Sequence, residues 1–328
     1  MKSTGETQMK FKLDDFLQGA KNVGIGGHIR PDGDCVGACL GLYQYIRTFY
    51  PDIYVKLYLE EIPDSFHFLH CSDEICHDSG ESTVFDVFFS LDCADDQRLG
   101  EYGRYFRNAK KTVCIDHHIT NAGFAEHNFV KADASSTCEL ICDLIGMDRI
   151  TDQMAQALYM GIAHDTGVFQ YSCTSSHTME VAGALMDKGI DHTSIVQETF
   201  FCRTYLQQQL LGRALLESVP VMDGRIIYSS ISLKMLKFFH ASSKDLEGIV
   251  SLMKNTYGVD VSMFFYEITP MEWKVSLRSS DKVDVSAVAS VFGGGGHRQA
   301  AGCTVRGSRD DVLRDLLPLI ARQMEERL

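Results

Sequence analysis

The chain is short of several features that would each have assigned it a class at once. No apolar run reaches the ~18–20 residues a membrane span needs, so no membrane association is expected. The opening segment MKSTGETQMKFKLDDFLQ has neither an apolar h-region nor a small-residue cleavage site, and does not read as a secretory signal. Basic residues are scarce: 31 Lys and Arg face 44 Asp and Glu, a formal net charge of −13. Proteins that hold long nucleic acids carry a basic footprint. A nucleic-acid ligand here should therefore be short, or held through metals and a few arginines. The eleven cysteines include no CxxC pair, and their number is odd. Both facts argue against a zinc knuckle or a disulfide framework and fit reduced thiols in the cytoplasm. Cys35/Cys39 and Cys138/Cys142 are four apart within expected helices, where thiols act as small buried hydrophobes.

Three familiar motifs are missing as well. Gly24-Ile25-Gly26-Gly27 lacks the glycine at the sixth position of a dinucleotide fingerprint, and GGGGH (293–297) lacks the Lys-Ser/Thr of a P-loop. There is no GxSxG nucleophile elbow. Low-complexity tracts and internal repeats are absent.

What is present has a clear grammar. At 328 residues the chain suggests two domains, since single cores stop growing beyond ~250–300 residues. The first half alternates short apolar runs with helical patterns, the signature of an α/β fold built on a parallel sheet with helices on both faces. Expected strands are VGIGG (23–27), IYVKLYL (53–59), VFDVFFSL (84–91) and KTVCI (111–115). Helices are expected over 34–48, 95–107, 136–146, 152–164, 177–188, 191–201 and 204–219. Beyond lie strands RIIYSSI (225–231), DVSMFFYEI (260–268) and WKVSLRS (273–279), helical patterns over 243–254 and 284–291, and a last helix over 309–327. This reads as a smaller α+β domain. The expected division is 1–216 and 217–328, the first domain ending in a linker helix, although no Gly/Pro/Ser stretch marks the boundary.

Four polar clusters share one placement. VGIGG runs into His28-Ile29-Arg30-Pro31-Asp32-Gly33-Asp34, VFDVFFSL into Asp92, KTVCI into Asp116-His117-His118, and the helical QALYMGIAH into Asp165-Thr166-Gly167. In open parallel sheets ligand sites lie beyond the carboxyl ends of the strands, so these clusters are expected to build one pocket. Five aspartates gathered there would repel strongly. Divalent cations resolve that repulsion, and mixed carboxylate and imidazole ligands suit Mn²⁺ or related metals. The carboxylates outnumber what one ion needs; two ions ~3.5–4 Å apart, bridged by one carboxylate, would use them all and suit phosphoryl transfer. Each cluster alone has a plainer explanation: a Pro-Asp-Gly turn, a helix N-cap at Asp92, a surface His-His pair. Four coincident plain explanations are the weaker account.

Four consecutive glycines also need a reason, because glycine loses the most backbone entropy on folding. Close backbone approach to a ligand or unusual dihedrals would supply one, and successive N–H groups bind anions; a flexible hinge is the alternative. His297 and Arg298 follow directly. Arg278, ending WKVSLRS, is either a solvated edge charge or a phosphate fork.

In this order HIRPDGD, LDCAD, DHH and HDTGVF resemble the DHH phosphoesterases. The later SLRSS and DVSAVASVFGGGGHRQAAG are similar to their DHHA1 substrate-binding domain. The length resembles the short nano-RNase type, oligoribonucleases that are also pAp phosphatases. The resemblance implies an active site in the cleft between the domains and two divalent cations, Mn²⁺ first, with Mg²⁺ or Co²⁺ as substitutes. His28, Asp32 and Asp92 would hold one ion; Asp34, Asp92, His117 and Asp165 would hold the other, with Asp92 bridging. His118 would face the scissile phosphate, making Asp92 and His118 catalytic. Asp116 joins them in the role of orienting a histidine. Arg278, Gly293, Gly294, Gly295, Gly296 and His297 would hold substrate. Expected substrates are short RNA oligonucleotides and pAp, with no long nucleic acid and no membrane, and a homodimer is left open. The rival readings are a cyclic- or linear-dinucleotide phosphodiesterase, a pyrophosphate or polyphosphate hydrolase, and a nucleotide sensor with impaired catalysis.

Overall fold

A computed structural model describes residues 11–77, 80 and 82–325. Residues 1–10, on which part of the leader reading rests, and residues 326 and 327 of the expected last helix lie outside the described residues. The chain divides into two compact units, one ending at Cys202 and the other beginning at Arg203. No helix among the described residues is long and apolar enough to cross a membrane.

The first unit is built on a five-stranded parallel sheet of β1 (Asn22–Gly26), β2 (Tyr54–Tyr58), β3 (Val87–Leu91), β4 (Thr112–Asp116) and β5 (His127–Val130), in the order β2-β1-β3-β4-β5. Strands buried on both faces read as continuous apolar runs, and β3, VFFSL, is buried throughout. Its alternation splits it between two cores. Val87, Phe89 and Leu91 pack with Val36, Leu40, Leu140 and Leu158, which come from helices Gly33–Phe49, Thr137–Ile145 and Asp152–Asp165. Phe88 faces the opposite way, into an aromatic cluster with Tyr58, Phe85, Tyr102, Tyr105 and Phe106. A Cβ on Gly24 would lie 2.4 Å from the Phe88 ring, so only glycine lets this ring sit against β1.

Several boundaries differ from expectation. The helix expected over 95–107 is a 3-10 segment, Asp96–Tyr102, followed by an α-helix, Gly103–Asn108, with non-helical Gly100 in the first. Strand β5 escaped sequence reading because HNFV lies at the sheet edge, half-exposed and without an apolar run.

The second unit carries a mixed six-stranded sheet. Its strands are β6 (Val219–Val221), β7 (Ile226–Ile231), β8 (Val261–Thr269), β9 (Glu272–Ser279), β10 (Gly295–His297) and β11 (Ala300–Arg306), in the order β10-β11-β9-β8-β7-β6. Only β7 and β8 pair in parallel. Val261, Met263 and Phe265 face a core closed by helices Val285–Val291 and Arg309–Glu325, while Phe264 faces a second core. Helix Tyr205–Leu216 belongs to that second core: its Leu210 and Ala214 pack with Ile227, Ile231 and Val250. By its contacts this helix goes with the second unit, whereas the expected boundary at 216 places it in the first; no linker composition precedes it.

Candidate metal centre

Three neighbouring strands, β1, β3 and β4, end on the ionisable clusters. Past β1, buried His28 places Nδ1 2.9 Å from the Ile29 carbonyl. A carbonyl has no proton to give, so Nδ1 carries a hydrogen and Nε2 is the nitrogen turned to the carboxylates. Nε2 lies 3.4 Å from Asp92 Oδ2 and 3.6 Å from Asp32 Oδ1. Asp32 is exposed and N-caps helix Gly33–Phe49, its Oδ1 accepting the Cys35 N–H at 3.1 Å.

Asp92 follows β3 in the left-handed region, at φ 56°. It is not a helix cap; Asp95 fills that role for the next helical segment. Its buried carboxylate faces two ways. Oδ2 looks toward His28, while Oδ1 lies 3.6 Å from both His117 Nε2 and His118 Nδ1. Thr137 Oγ1 donates to the same Oδ1 at 3.0 Å.

Asp34 is fully enclosed. Its carboxylate accepts the N–H groups of Thr137 at 2.7 Å and Cys138 at 2.9 Å, so it anchors the N-terminus of helix Thr137–Ile145, where the helix dipole favours negative charge. His117 Nε2 lies 3.8 Å from Asp34 Oδ2 and 3.2 Å from Asp165 Oδ2. Gly33, between the two aspartates, is a steric requirement: a Cβ there would lie 2.4 Å from the His164 ring.

Asp116 and His118 form a separate pair. Asp116 Oδ1 lies 2.7 Å from His118 Nδ1 and also accepts the His117 N–H at 2.9 Å. Asn121 Nδ2 donates to Asp116 Oδ2 at 2.7 Å and to the Cys93 carbonyl at 3.0 Å. Burial would raise the Asp116 carboxyl, but the bonds from His118 and Asn121 outweigh it and hold it below the usual range. The same bond raises the His118 imidazole.

Elsewhere repulsion dominates. Burial, and then the charges of Asp92 and Asp165, push Asp34 well above the usual carboxylate range. Burial pushes Asp165 up to about 6, with Asp92 and Asp32 adding to it against the pull of His117. Unsatisfied negative charge of this kind is relieved by a cation. The donor atoms fall into sets within 4.8 Å of one another: His28, Cys35 and Asp92; Asp92, His117 and His118; Asp34, His117 and Asp165. Imidazole and carboxylate donors in this mixture fit a divalent cation.

The structure thus gathers His28, Asp32, Asp34, Asp92, Asp116, His117, His118 and Asp165 at one end of the parallel sheet. Arg278, Gly293, Gly294, Gly295, Gly296 and His297 form a second group within the other unit. There Arg278 pairs with Ala300, and Ala300 with His297. The glycines have a structural reason that sequence reading left open. Gly293 and Gly296 adopt φ of 69° and 142°, and a Cβ on Gly294 would lie 2.2 Å from the Gly302 carbonyl. The close approach seen is to the chain's own β11. Thr137, Asn121 and Cys35 were missed as site residues. Ser136, whose hydroxyl caps at Glu139 N, gave a helix-start pattern, but nothing in the sequence pointed Thr137 at Asp92.

Comparisons with known proteins match each of the two units to a family model. Residues 22–162 match the family model described as the DHH family, N-terminal domain, and residues 223–326 match the DHHA1 domain. A Streptococcus mutans protein named probable bifunctional oligoribonuclease and PAP phosphatase NrnA is 28% identical over 300 residues, 90% of this chain and 94% of that one. The Bacillus subtilis bifunctional oligoribonuclease and PAP phosphatase NrnA is 26% identical over 316 residues, 94% of this chain and 97% of that one. A solved structure described as an exopolyphosphatase-related protein from Bacteroides fragilis has a TM-score of 0.87 and 26% identity, covering 95% of each chain. With its carboxylate and imidazole clusters at the strand ends of a parallel sheet and both domain models in order along its length, the chain belongs to the DHH/DHHA1 family of phosphoesterases.

Proposed function

We propose that the chain hydrolyses phosphoester bonds in short oligoribonucleotides, releasing mononucleotides, and in pAp, releasing AMP and phosphate. The observation that carries this reading is Asp92, whose two carboxylate oxygens face His28 on one side and His117 on the other. A carboxylate so placed is what a bridged pair of ions needs. His28, Asp32 and Asp92 would hold one divalent cation; Asp34, Asp92, His117 and Asp165 would hold the other, Mn²⁺ being the best match to the donors. Bound there, the ions would supply an activated water and offset charge on the phosphate.

The chain's own groups divide the remaining work. Asp116 holds His118 by Nδ1, which leaves Nε2 to donate to a phosphate oxygen or to the leaving oxygen. Arg278 offers a guanidinium suited to forked phosphate contact, and Gly293, Gly294, Gly295, Gly296 and His297 would line the substrate beside it, the Gly293 and Gly294 N–H groups being already given to the Ser290 and Ala289 carbonyls. The net charge of −13 disfavours retention of long polyanions. Full-length relatives carrying both activities in their names support the substrate class.

The test is side-by-side turnover of pAp, pApA, a five-nucleotide RNA, cyclic di-AMP, pyrophosphate and polyphosphate with Mn²⁺, for the wild type and Asp92→Ala. Turnover of pAp and short RNA, abolished in Asp92→Ala, is expected. Undiminished turnover in that variant would overturn the bridging role, and exclusive turnover of polyphosphate would overturn the substrate class.

A further inference from the structure

Cys35 follows Asp34 in the first turn of helix Gly33–Phe49 and is fully buried. Its sulfur accepts the His28 backbone N–H at 3.2 Å, tying the loop after β1 to the helix. Donor atoms of His28, Cys35 and Asp92 lie within 4.8 Å of one another, a separation that one ion with bonds of ~2.0–2.3 Å spans. The backbone opposite leaves the sulfur room: a Cβ on Gly27 would lie 2.2 Å from it. Asp32, the carboxylate beside this set, is exposed and already accepts the Cys35 N–H.

We propose that Cys35 is a metal ligand, completing with His28 and Asp92 a nitrogen, sulfur and oxygen donor set that prefers a thiophilic divalent cation such as Zn²⁺ or Co²⁺ to Mg²⁺. This rests on the metal-centre reading above and changes the chemical class of one of its two sites. Hard Mg²⁺ is held by oxygen and keeps much of its water, whereas a thiolate selects softer ions. On coordination the S–H proton leaves to solvent, the sulfur keeps its electron pair, and a metal–sulfur bond takes the proton's place. No oxidant or reductant is involved. Cys39, one turn on, is also fully buried but belongs to no donor set of this kind among the described residues, which makes it the internal control.

The experiment titrates metal-free protein with Co²⁺, following sulfur-to-cobalt charge-transfer absorption in the near ultraviolet and bound Co²⁺ by equilibrium dialysis. Wild type, Cys35→Ala, Cys35→Ser and Cys39→Ala are compared. The band is expected in wild type and Cys39→Ala and absent from both Cys35 variants, with Zn²⁺ affinity relative to Mg²⁺ falling roughly tenfold or more. Bound Co²⁺ without the band in wild type would overturn the proposal, and so would a band surviving in Cys35→Ala. The wild-type spectrum decides even if a Cys35 variant does not fold. Failure of wild type to bind any Co²⁺ would overturn the metal centre itself and this inference with it.

Discussion

Asp116 Oδ1 sits 2.7 Å from His118 Nδ1, and Asn121 fixes the opposite oxygen of the same carboxylate. The imidazole is thereby held from behind, with its tautomer set by a fully buried acid. Asp116→Asn keeps the shape and loses the charge. Turnover is expected to fall roughly 10–100-fold, the usual cost of losing a residue that orients a functional histidine. Bound metal, measured by elemental analysis, should stay within error of wild type. Equal loss of metal and activity would show that Asp116 serves the ligands and not His118.

Thr137 links two carboxylates, donating its hydroxyl to Asp92 and its N–H to Asp34. Thr137→Val removes only the hydroxyl contact. Mn²⁺ affinity by calorimetry is expected to weaken roughly 10–100-fold, with the circular dichroism spectrum unchanged. Unaltered affinity would show that Asp92 needs no support from this side.

Asp165, pushed up to about 6 by burial and its acidic neighbours, makes the metal-free protein pay for its charge at neutral pH. Its folded-state value lies above the ordinary 3.8, so the penalty is absent below about pH 4 and complete above about pH 6. Without metal, Asp165→Asn is expected to melt higher than wild type at pH 7.5, by roughly 2–4 °C, and to match it at pH 4. With saturating Mn²⁺ the order should reverse. A lower melting point for the metal-free variant at pH 7.5 would show that repulsion is not the dominant strain.

In the second unit Asp260 binds Arg225 Nε and Lys282 Nζ, each at 2.9 Å. Burial works against its ionisation, but these two partners outweigh it and hold its carboxyl below the usual range. A depressed carboxylate contributes stability above its unfolded-state value and loses it as pH falls through the folded one. Asp260→Asn should therefore cost about 1–2 kcal/mol at pH 7, a difference that shrinks below pH 4. Denaturant unfolding at both pH values checks this; a cost independent of pH would assign it to packing.

The parallel sheet and the gathering of polar groups at its strand ends were legible together. His28, Asp92 and His117 were readable because apolar runs end on them, and in a parallel sheet those ends converge. Thr137 and Asn121 were not, since one donor hydroxyl or amide in a loop has no periodicity and gains meaning only from the carboxylate it meets. Cys35 was visible but passed over, because a thiol in a helix is usually packing. Strand β11, AAGCTVR, was hidden by its small residues, and with it the reason for the glycine run. No composition marks the division at 202/203, which contacts alone draw.

The bond between Asp34 and Thr137 spans 103 residues, and Asp165 joins the same group from still later in the chain. A ribosome adding ~5–20 residues per second needs roughly 7–26 s to pass from Asp34 to Asp165. Until Thr137 is made Asp34 has no helix N-terminus to hold it, and until Asp165 is made the donor set of Asp34, His117 and Asp165 is incomplete. That donor set is therefore finished only when the first unit, which ends at Cys202, is nearly complete.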